Sequence, residues 1–283
     1  MLPFYFKIKL TSIILFCYRS TSFYCVDMSR RNARHDKPKP IPGVAAYYIN
    51  CYRHASRREK FQDLAAEAGI RVTRVACFDA RKINDNLVCD LRDDGELSKR
   101  ADLTPVEVAI NYSHFKCWER FLRSKNKYCL VFEDDVHIYK RFRPKLIQTI
   151  KFLEENNIRF GILHLWNGNW SKTKSKLKKV AKVSSDISLS RETIGYTAGG
   201  TCYLLTRDFA QYLMGHIFPI KSPVDIYIGG QVRRSSHLTV ETTTLADGCI
   251  KTPFIYVDCS GPYGTGASTT QQYEVPTVDE TSC

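Results

Sequence analysis

The sequence predicts an α/β fold, a mostly parallel β-sheet flanked by helices within a single domain. Apolar runs of strand length alternate with amphipathic segments of helix length along the chain. The first run, "VAAYYIN" at Val44 to Asn50, is apolar on both faces, which is typical of a central parallel strand. Strands that alternate with helices favour parallel pairing. In such sheets ligands bind beyond the carboxyl ends of the strands, so we expect the functional residues there.

The first half of the predicted domain follows this alternation. A stiff linker, "PKPIPG", precedes the first strand. Ser56 and Glu59 have the spacing of a capping box and predict a helix that ends near Gly69. The apolar residues of "IRVTRVACFDA" predict a second strand that ends near Asp79. The charged segment 81–102 is interpreted as a loop.

The second half begins with another helix signal. Thr104, Pro105 and Glu107 combine a capping box with a proline at the first helical position. A buried strand, 128–132, follows the helix. The basic segment Lys172 to Lys182 is interpreted as a mobile surface loop. The remaining expected elements are a helix at 143–156, a strand at 160–166, a strand at 201–205 and a helix at 206–215.

Composition divides the chain into three parts. Residues 1–43 are interpreted as an N-terminal tail and linker, 44–260 as the folded domain and 261–283 as a flexible C-terminal tail. The apolar stretch Ser12 to Tyr18 is far shorter than the roughly 20 residues that cross a bilayer, and its flanks make a weak signal-anchor. Because Met28 opens an ordinary polar segment, translation from Met28 is an alternative hypothesis.

The balance of charge favours an anionic partner. Lys and Arg number 42 against 29 Asp and Glu, which gives a formal net charge of +13. Such an excess suits a phosphorylated ligand, a nucleic acid or a membrane surface, and composition does not choose among them. Hydrophobic residues make up 43% of the chain, which is enough for a sizeable core and too many for a disordered protein.

The 11 cysteines include no CxxC pair, which argues against a zinc ribbon. Cys51, Cys129 and Cys202 lie in or beside predicted strands and are interpreted as small buried hydrophobic residues. Free cysteines favour a reducing compartment such as the cytoplasm, with a membrane-associated or secretory-lumen location left open.

Three consecutive acids, Glu133, Asp134 and Asp135, follow the buried strand at 128–132. Because alternate residues of a strand face the same side, we expect Glu133 and Asp135 to share one site and Asp134 to point elsewhere. Two carboxylates suit a hard cation such as Mn²⁺ or Mg²⁺, with positions left for phosphate oxygens. The alternative is a solvated acidic turn. The chain has no P-loop, GxGxxG or HExxH motif.

Four blocks between about Val44 and Ile228 resemble glycosyltransferase family 25, the lipooligosaccharide and procollagen galactosyltransferase type. They are "YYINCYRHASRREKF", "RVACFDA", "LTPVEVAINYSHFKCWERFL" with "YCLVFEDDV", and "GGTCYLLTRDFAQYL" with "SPVDIYI". The resemblance implies a GT-A fold, a UDP-galactose or UDP-glucose donor, and transfer with inversion at the anomeric carbon. The segment Lys172 to Arg191 has no counterpart, which leaves the acceptor open.

The resemblance also implies roles for residues at the predicted strand ends. Glu133 and Asp135 would hold the cation that bridges the two phosphates of the donor. The other candidate donor-binding residues are Asn50, Arg57, Arg58, Asp79 and Ser113. Each has an ordinary structural alternative, such as a solvated helical turn for the two arginines and a turn aspartate for Asp79.

Inverting transfer requires a base that takes a proton from the acceptor hydroxyl. Asp225 is the first candidate, because its apolar neighbours Val224 and Ile226 favour a raised pKa. His114 and Glu107 are the other catalytic candidates. The structural alternatives are helix capping for Asp225 and Glu107, and a core position for His114.

The expected partners are a nucleotide-sugar donor and a hydroxyl acceptor on a glycan or a protein, with no specific nucleic acid and with peripheral membrane contact left open. A basic nucleic-acid-binding protein or a non-catalytic scaffold on the same fold is the alternative function. A metal-dependent phosphodiesterase is a further alternative, but it requires more His and Asp ligands than the sequence places together.

Overall fold

The structure is a computed structural model that describes residues 37–166, 177–192, 200–231, 237–241, 243–244 and 250–257. These residues belong to one compact unit. The predicted C-terminal tail 261–283, and the predicted N-terminal tail except for 37–43, lie outside the described residues. No helix in the described ranges is long and apolar enough to cross a membrane.

Two β-sheets contain the described strands. In chain order these are β1 (Val44–Asn50), β2 (Thr73–Ala76), β3 (Tyr128–Glu133), β4 (Val136–Ile138), β5 (Ile162–His164), β6 (Leu177–Lys182), β7 (Ser188–Glu192), β8 (Cys202–Thr206), β9 (His237–Val240), β10 (Thr243–Thr244), β11 (Ile250–Lys251) and β12 (Ile255–Val257). The large sheet has the spatial order β2-β1-β3-β8-β5-β9-β7-β6, and the small antiparallel sheet has the order β10-β11-β12-β4.

The large sheet contains the parallel strands that the sequence predicted. β1 pairs in parallel with both β2 and β3, and β5 pairs in parallel with β9. β8 runs antiparallel between β3 and β5, and β7 runs antiparallel to β9 and β6. The predicted α/β sheet flanked by helices is confirmed, and β8 together with the β6–β7 edge makes it a mixed sheet.

The helices lie between the strands in the chain. They are α1 (Ala55–Glu67), α2 (Asp85–Asp93), α3 (Pro105–Arg123), α4 (Phe142–Glu155), α5 (Arg207–Met214) and α6 (Val224–Gly230), with a short 3₁₀ helix at Ala80–Lys82. α3 begins as predicted, with Thr104 and Glu107 in a capping box and proline at the first position. Its residues Trp118 and Phe121 are fully buried. Burial of each such side chain contributes about 1.5–3 kcal/mol, which anchors α3 in the core.

Three local predictions were wrong. α1 begins at Ala55 after His54 and has no side-chain cap, so Ser56 does not start it. The charged segment 81–102 contains α2, which Asn84 caps and which buries Val88 and Leu91. The few apolar residues of this helix were too weak a periodic signal among so many charges.

The basic segment Lys172 to Lys182 is also not simply a loop. Its residues Leu177–Lys182 form β6, which pairs with β7 at the edge of the sheet, while 172–176 lie outside the described residues. The lysines of β6 are exposed. Charged side chains are common on edge strands because they discourage pairing with other chains.

Candidate functional site

A small cavity lies at the edge of the sheet where β1 and β3 end. The parallel register places Asn50 beside Ala76 and Ile49 beside Glu133, so the three strand ends meet there. The cavity volume is about 80 Å³. Ligand pockets usually measure roughly 300–1,000 Å³, so this cavity alone is too small for a whole ligand of that class. We call it the acidic cavity, and its polar lining consists of Asn50, Arg53, His54, Arg57, Ser113, His114, Glu133, Asp134 and Asp135.

All three consecutive acids line this cavity, and Arg57 supplies a counter-charge. Arg57 Nη2 lies 2.9 Å from Asp134 Oδ1 and 3.0 Å from Asp135 Oδ2. Asn50 Nδ2 donates a hydrogen bond of 2.5 Å to Asp134 Oδ2. The prediction that Asp134 points away is therefore wrong. β3 ends at Glu133 and a turn follows, so strand alternation does not extend over the two aspartates.

Burial disfavours ionisation of both aspartates. Desolvation raises the pKa of Asp134, and the nearby Arg57 and the bond from Asn50 only partly oppose it. Desolvation also raises the pKa of Asp135, and the charge of Glu133 raises it further. One guanidinium thus does not offset the burial of these carboxylates. An additional cation in the cavity would lower both pKa values.

Three polar atoms of cavity residues are buried without a hydrogen-bond partner in the part of the chain that the structure describes. They are Asn50 Oδ1, His114 Nε2 and Asp135 Oδ1. Unpaired buried polar atoms cost free energy, and a cluster of them indicates a place where a ligand completes the bonding.

The oxygen atoms of this set fit the predicted Mn²⁺ or Mg²⁺. Asn50 and Asp135 provide oxygens, Glu133 lies beside them in the cavity, and hard cations prefer oxygen ligands. Within the described ranges, no group of three or more His, Cys, Asp or Glu side chains is arranged to hold a metal ion. A Mn²⁺ or Mg²⁺ site here remains a prediction, and such a cation would need ligand oxygens beyond these side chains.

His114 lies at the back of the acidic cavity, on α3. Its Nδ1 is 2.8 Å from the hydroxyl of Tyr203 on β8, and Trp118 Nε1 donates to the same hydroxyl at 2.9 Å. The other ring nitrogen, Nε2, lies 3.6 Å from Glu133 Oε1. Tyr203 was not among the predicted site residues, because an apolar strand gives no sign that one of its side chains contacts the site.

Asp79 lies at the rim, where two arginines occupy its carboxylate. Arg53 Nη1 lies 2.8 Å from Oδ1 and Arg81 Nη2 lies 2.7 Å from Oδ2. The hydrogen bonds from Arg81 are the main reason that the pKa of Asp79 is lowered. Asp79 also caps the 3₁₀ helix. This carboxylate orients Arg53 at the cavity, and a role in donor binding remains a prediction.

Ser113 and Glu107 are both engaged in structural hydrogen bonds. The Ser113 hydroxyl donates to Ala109 O and accepts from Phe78 N, which fastens the end of β2 to α3. Glu107 Oε2 accepts from Thr104 N and Thr104 Oγ1 in the capping box, and Glu107 does not line the acidic cavity. Their direct roles in binding or catalysis stay predictions.

Arg58 and Asp225 also lie away from the cavity lining. Arg58 is half-buried on α1, one residue beyond Arg57. Asp225 lies in the first turn of α6, where its Oδ1 accepts from Ile226 N. Ile226 is exposed, so it does not provide the apolar surroundings that were expected for Asp225.

A disulfide bond joins the ends of β1 and β2 at the cavity wall. Cys51 and Cys77 each follow one of the register partners Asn50 and Ala76, and their Cα atoms are 4.8 Å apart. The interpretation of Cys51 as a free buried residue is therefore wrong, whereas Cys129 and Cys202 are free and buried as predicted. Disulfides persist in oxidising compartments, so the basis for expecting a reducing one is removed.

Comparison with known proteins gives one family. The model of "Glycosyltransferase family 25 (LPS biosynthesis protein)" matches residues 44–228. Three curated proteins, each described as "Glycosyltransferase 25 family member", also match. The identity is 26% over 110 residues for Drosophila pseudoobscura pseudoobscura, 30% over 122 for Aedes aegypti and 29% over 125 for Anopheles gambiae. These segments cover 37%, 40% and 42% of this chain but only 17%, 20% and 21% of the relatives.

Similarity to solved structures is low. A protein described as a glucose-1-phosphate thymidylyltransferase from Bacillus anthracis aligns with a TM-score of 0.27 and 14% identity over 66% of this chain and 59% of that chain. A mannose-1-phosphate geranyltransferase from Thermus thermophilus aligns with a TM-score of 0.26 and 8% identity over 69% of this chain and 58% of that chain. At this level the alignments say nothing about what this chain binds.

Proposed function

This chain belongs to glycosyltransferase family 25, and on that premise we propose that it transfers galactose or glucose from a UDP-sugar to a hydroxyl group of a glycan or a protein, with inversion. The acidic cavity carries the proposal. It combines three carboxylates, Arg57 and three unpartnered polar atoms at the carboxyl ends of β1 and β3. A diphosphate with an associated cation has the oxygens and the positive charge that such a set would bind.

Glu133 and Asp135 are the proposed protein ligands of Mn²⁺ or Mg²⁺, with Asn50 Oδ1 as a further oxygen at the same wall. When bound, such a cation supplies Lewis-acid stabilisation of the departing diphosphate. Arg57 Nη2 contacts both aspartates, and 26% of the Arg57 side chain is exposed. Its guanidinium is therefore close enough to the carboxylates to pair with phosphate oxygens once a donor enters.

Arg53 and Asn50 complete the proposed donor site. Asp79 pairs with Arg53 at the rim, while the Asn50 amide group bonds to Asp134 through Nδ2 and leaves Oδ1 buried without a partner among the described residues. A contact of Arg58 with the donor stays part of the proposal, and Ser113 supports the cavity wall from α3. Ser113 does so through its hydrogen bond with Phe78 N, which positions the end of β2.

Asp225 remains the proposed base for the acceptor hydroxyl. The segment just before α6 is tied to α3 by a hydrogen bond of 3.1 Å from Asn111 Nδ2 to Ser222 O, three residues before Asp225. The segment that carries Asp225 is thus fixed against the helix that carries His114. A base on this segment stands on a different element from Glu133 and Asp135, as displacement with inversion demands.

The test is UDP release by the purified full chain from UDP-galactose and from UDP-glucose, with Mn²⁺ and with excess chelator. We expect release from at least one donor, and we expect chelator to abolish it. Glu133→Gln keeps the size of the side chain and removes its charge, so it should lose activity with Mn²⁺ present. No release from either donor would contradict the function, and full release in chelator would contradict the metal role alone.

A further inference from the structure

The hydrogen bonds of Tyr203 fix where the His114 imidazole carries its proton. Trp118 Nε1, which only donates, lies 2.9 Å from the Tyr203 hydroxyl oxygen. Tyr203 is fully buried. Within the described residues, the other polar neighbour of its hydroxyl is His114 Nδ1, at 2.8 Å. Burial raises the pKa of Tyr203 well above its usual value, so the phenol keeps a proton that it has to donate.

The Tyr203 hydroxyl therefore donates its proton in a hydrogen bond to His114 Nδ1. A neutral imidazole that accepts at Nδ1 carries its own proton on Nε2. The opposite tautomer would direct two donors, from Trp118 and His114, at one oxygen. It would also leave the phenol proton without an acceptor in the described part of the chain, which is costly for a buried donor.

The Nε2–H group then points toward Glu133. Nε2 is buried, has no hydrogen-bond partner among the described residues, and lies 3.6 Å from Glu133 Oε1. Gly200 borders both groups, because a Cβ at this position would lie 3.3 Å from Glu133 Oε1 and 3.6 Å from His114 Nε2. A glycine here leaves room for the small shift that closes the gap between donor and carboxylate.

Resting on the proposed function, we propose that His114 is a positioning residue whose Nε2–H, directed by Tyr203 and Trp118, donates to Glu133 and orients this carboxylate toward the donor substrate. The assignment removes His114 from the candidates for the base. In the neutral ring Nε2 already carries a proton, so it cannot accept another. Nδ1 accepts the hydrogen bond from Tyr203 and lies on the side of the ring away from the cavity.

The tautomer is measured directly by ¹⁵N NMR of the imidazole groups in the full chain, with the His114 signals assigned by their loss in His114→Gln. We expect the proton on Nε2. Tyr203→Phe removes the donor to Nδ1 and should shift the population toward Nδ1–H. Tyr128→Phe is the matched control, because it removes the hydroxyl of another buried tyrosine, one that bonds to Glu154 at the other end of β3. A proton on Nδ1 in the wild-type protein would overturn the proposal.

Kinetics separate positioning from base catalysis. His114→Ala should lower kcat by about 10–100-fold, the usual cost of losing a group that orients a ligand, with a smaller change in KM. His114→Gln presents an amide N–H near the position of Nε2, so it should recover most of the rate. Because glutamine cannot act as a base, this recovery would not be expected if His114 were the base. Equal losses in both variants would overturn the proposal. The NMR measurement does not require turnover. A wild-type protein without transferase activity would therefore refute the proposed function and leave the tautomer result unaffected.

Discussion

Two cavities lie at opposite ends of the strands of the large sheet, and they differ in chemistry as well as in size. The acidic cavity has a volume of about 80 Å³ at the carboxyl ends of β1 and β3. The second, which we call the distal cavity, has a volume of about 780 Å³ and lies at the opposite end of the strands, where β5 begins and β8 ends. Its polar lining includes Arg159, Arg191, Asp208 and Gln231.

The smaller cavity has the features of a site. Three polar atoms of its lining residues are buried without a partner, and no such atom belongs to a described residue of the distal cavity. Three acids and Arg57 share the acidic cavity, whereas Asp208 in the distal cavity is exposed to solvent. Exposed groups are satisfied by water and gain little from a ligand. The proposal places the site at the acidic cavity because of this unmet bonding and buried charge, although the distal cavity is larger.

The largest expected effect concerns Asp225, which lines neither cavity. Asp225→Asn keeps the shape of the side chain and loses the ability to accept a proton. If Asp225 is the base, UDP release should fall by about 10²–10⁴-fold while UDP binding, measured by calorimetry, stays unchanged. Near-normal release would remove Asp225 from the mechanism and direct the search for a base to other carboxylates, such as Glu107.

The second prediction compares the two cavities by making the same aspartate-to-asparagine change in each. Asp135→Asn in the acidic cavity should lower UDP release by about 10²–10³-fold, the usual cost of losing one electrostatic contact to the transition state. Asp208→Asn in the distal cavity is the matched control and should change it less than twofold. Equal effects of the two variants would show that the acidic cavity is not the site.

The sequence was sufficient to predict those features of the fold and of the acidic cavity that depend on neighbouring residues. Apolar patterns predicted the strands β1, β2, β3, β5 and β8 and the helices α1, α3, α4 and α5. The position of Glu133 after a buried strand predicted where the acids lie. These signals are local, because strand and helix periods are set by neighbouring residues. The family blocks then indicated the family.

The rest of the acidic cavity depends on contacts between residues that are distant in sequence. Arg57 approaches Asp134 only because β1 and β3 pair in parallel, and Tyr203 approaches His114 only because β8 runs antiparallel beside β3. The disulfide forms because strand register places Cys77 beside Cys51. No single stretch of sequence encodes such a register.

The third prediction concerns the covalent wall of the acidic cavity. The Cys51–Cys77 bond closes a segment with a sequence separation of 26 residues. Replacing both cysteines with alanine should lower the free energy of unfolding by about 2–4 kcal/mol, because the unfolded chain regains the conformations that the bond removes. Urea unfolding under non-reducing conditions measures this, and Cys202→Ala controls for the loss of a cysteine side chain. An unchanged midpoint in the double variant would show that the bond contributes nothing to stability.

The smallest expected effect is a difference between the two cavities in how their aspartates change the stability of the fold with pH. The pKa of Asp135 rises from 3.8 to about 7 on folding, first through burial and then through the charge of Glu133. Between these values the folded state binds more protons than the unfolded state, so stability falls as pH rises through this window. Above it the wild-type protein carries the full cost of the buried charge, and below pH 3.8 it carries none.

Asp135→Asn carries no charge at any pH, so it should be more stable than the wild-type protein at pH 8, and the difference should shrink toward pH 4. Because 32% of the Asp135 side chain is exposed, solvent screens the effect, and we expect a rise in Tm of about 2–4 °C at pH 8. Asp208→Asn should show no such dependence on pH. A lower Tm for Asp135→Asn at pH 8 would mean that its ion pair with Arg57 outweighs the burial of the charge. The acidic cavity would then stabilise the fold at neutral pH. A site that keeps buried carboxylates for a cation should instead destabilise the fold when no cation is bound.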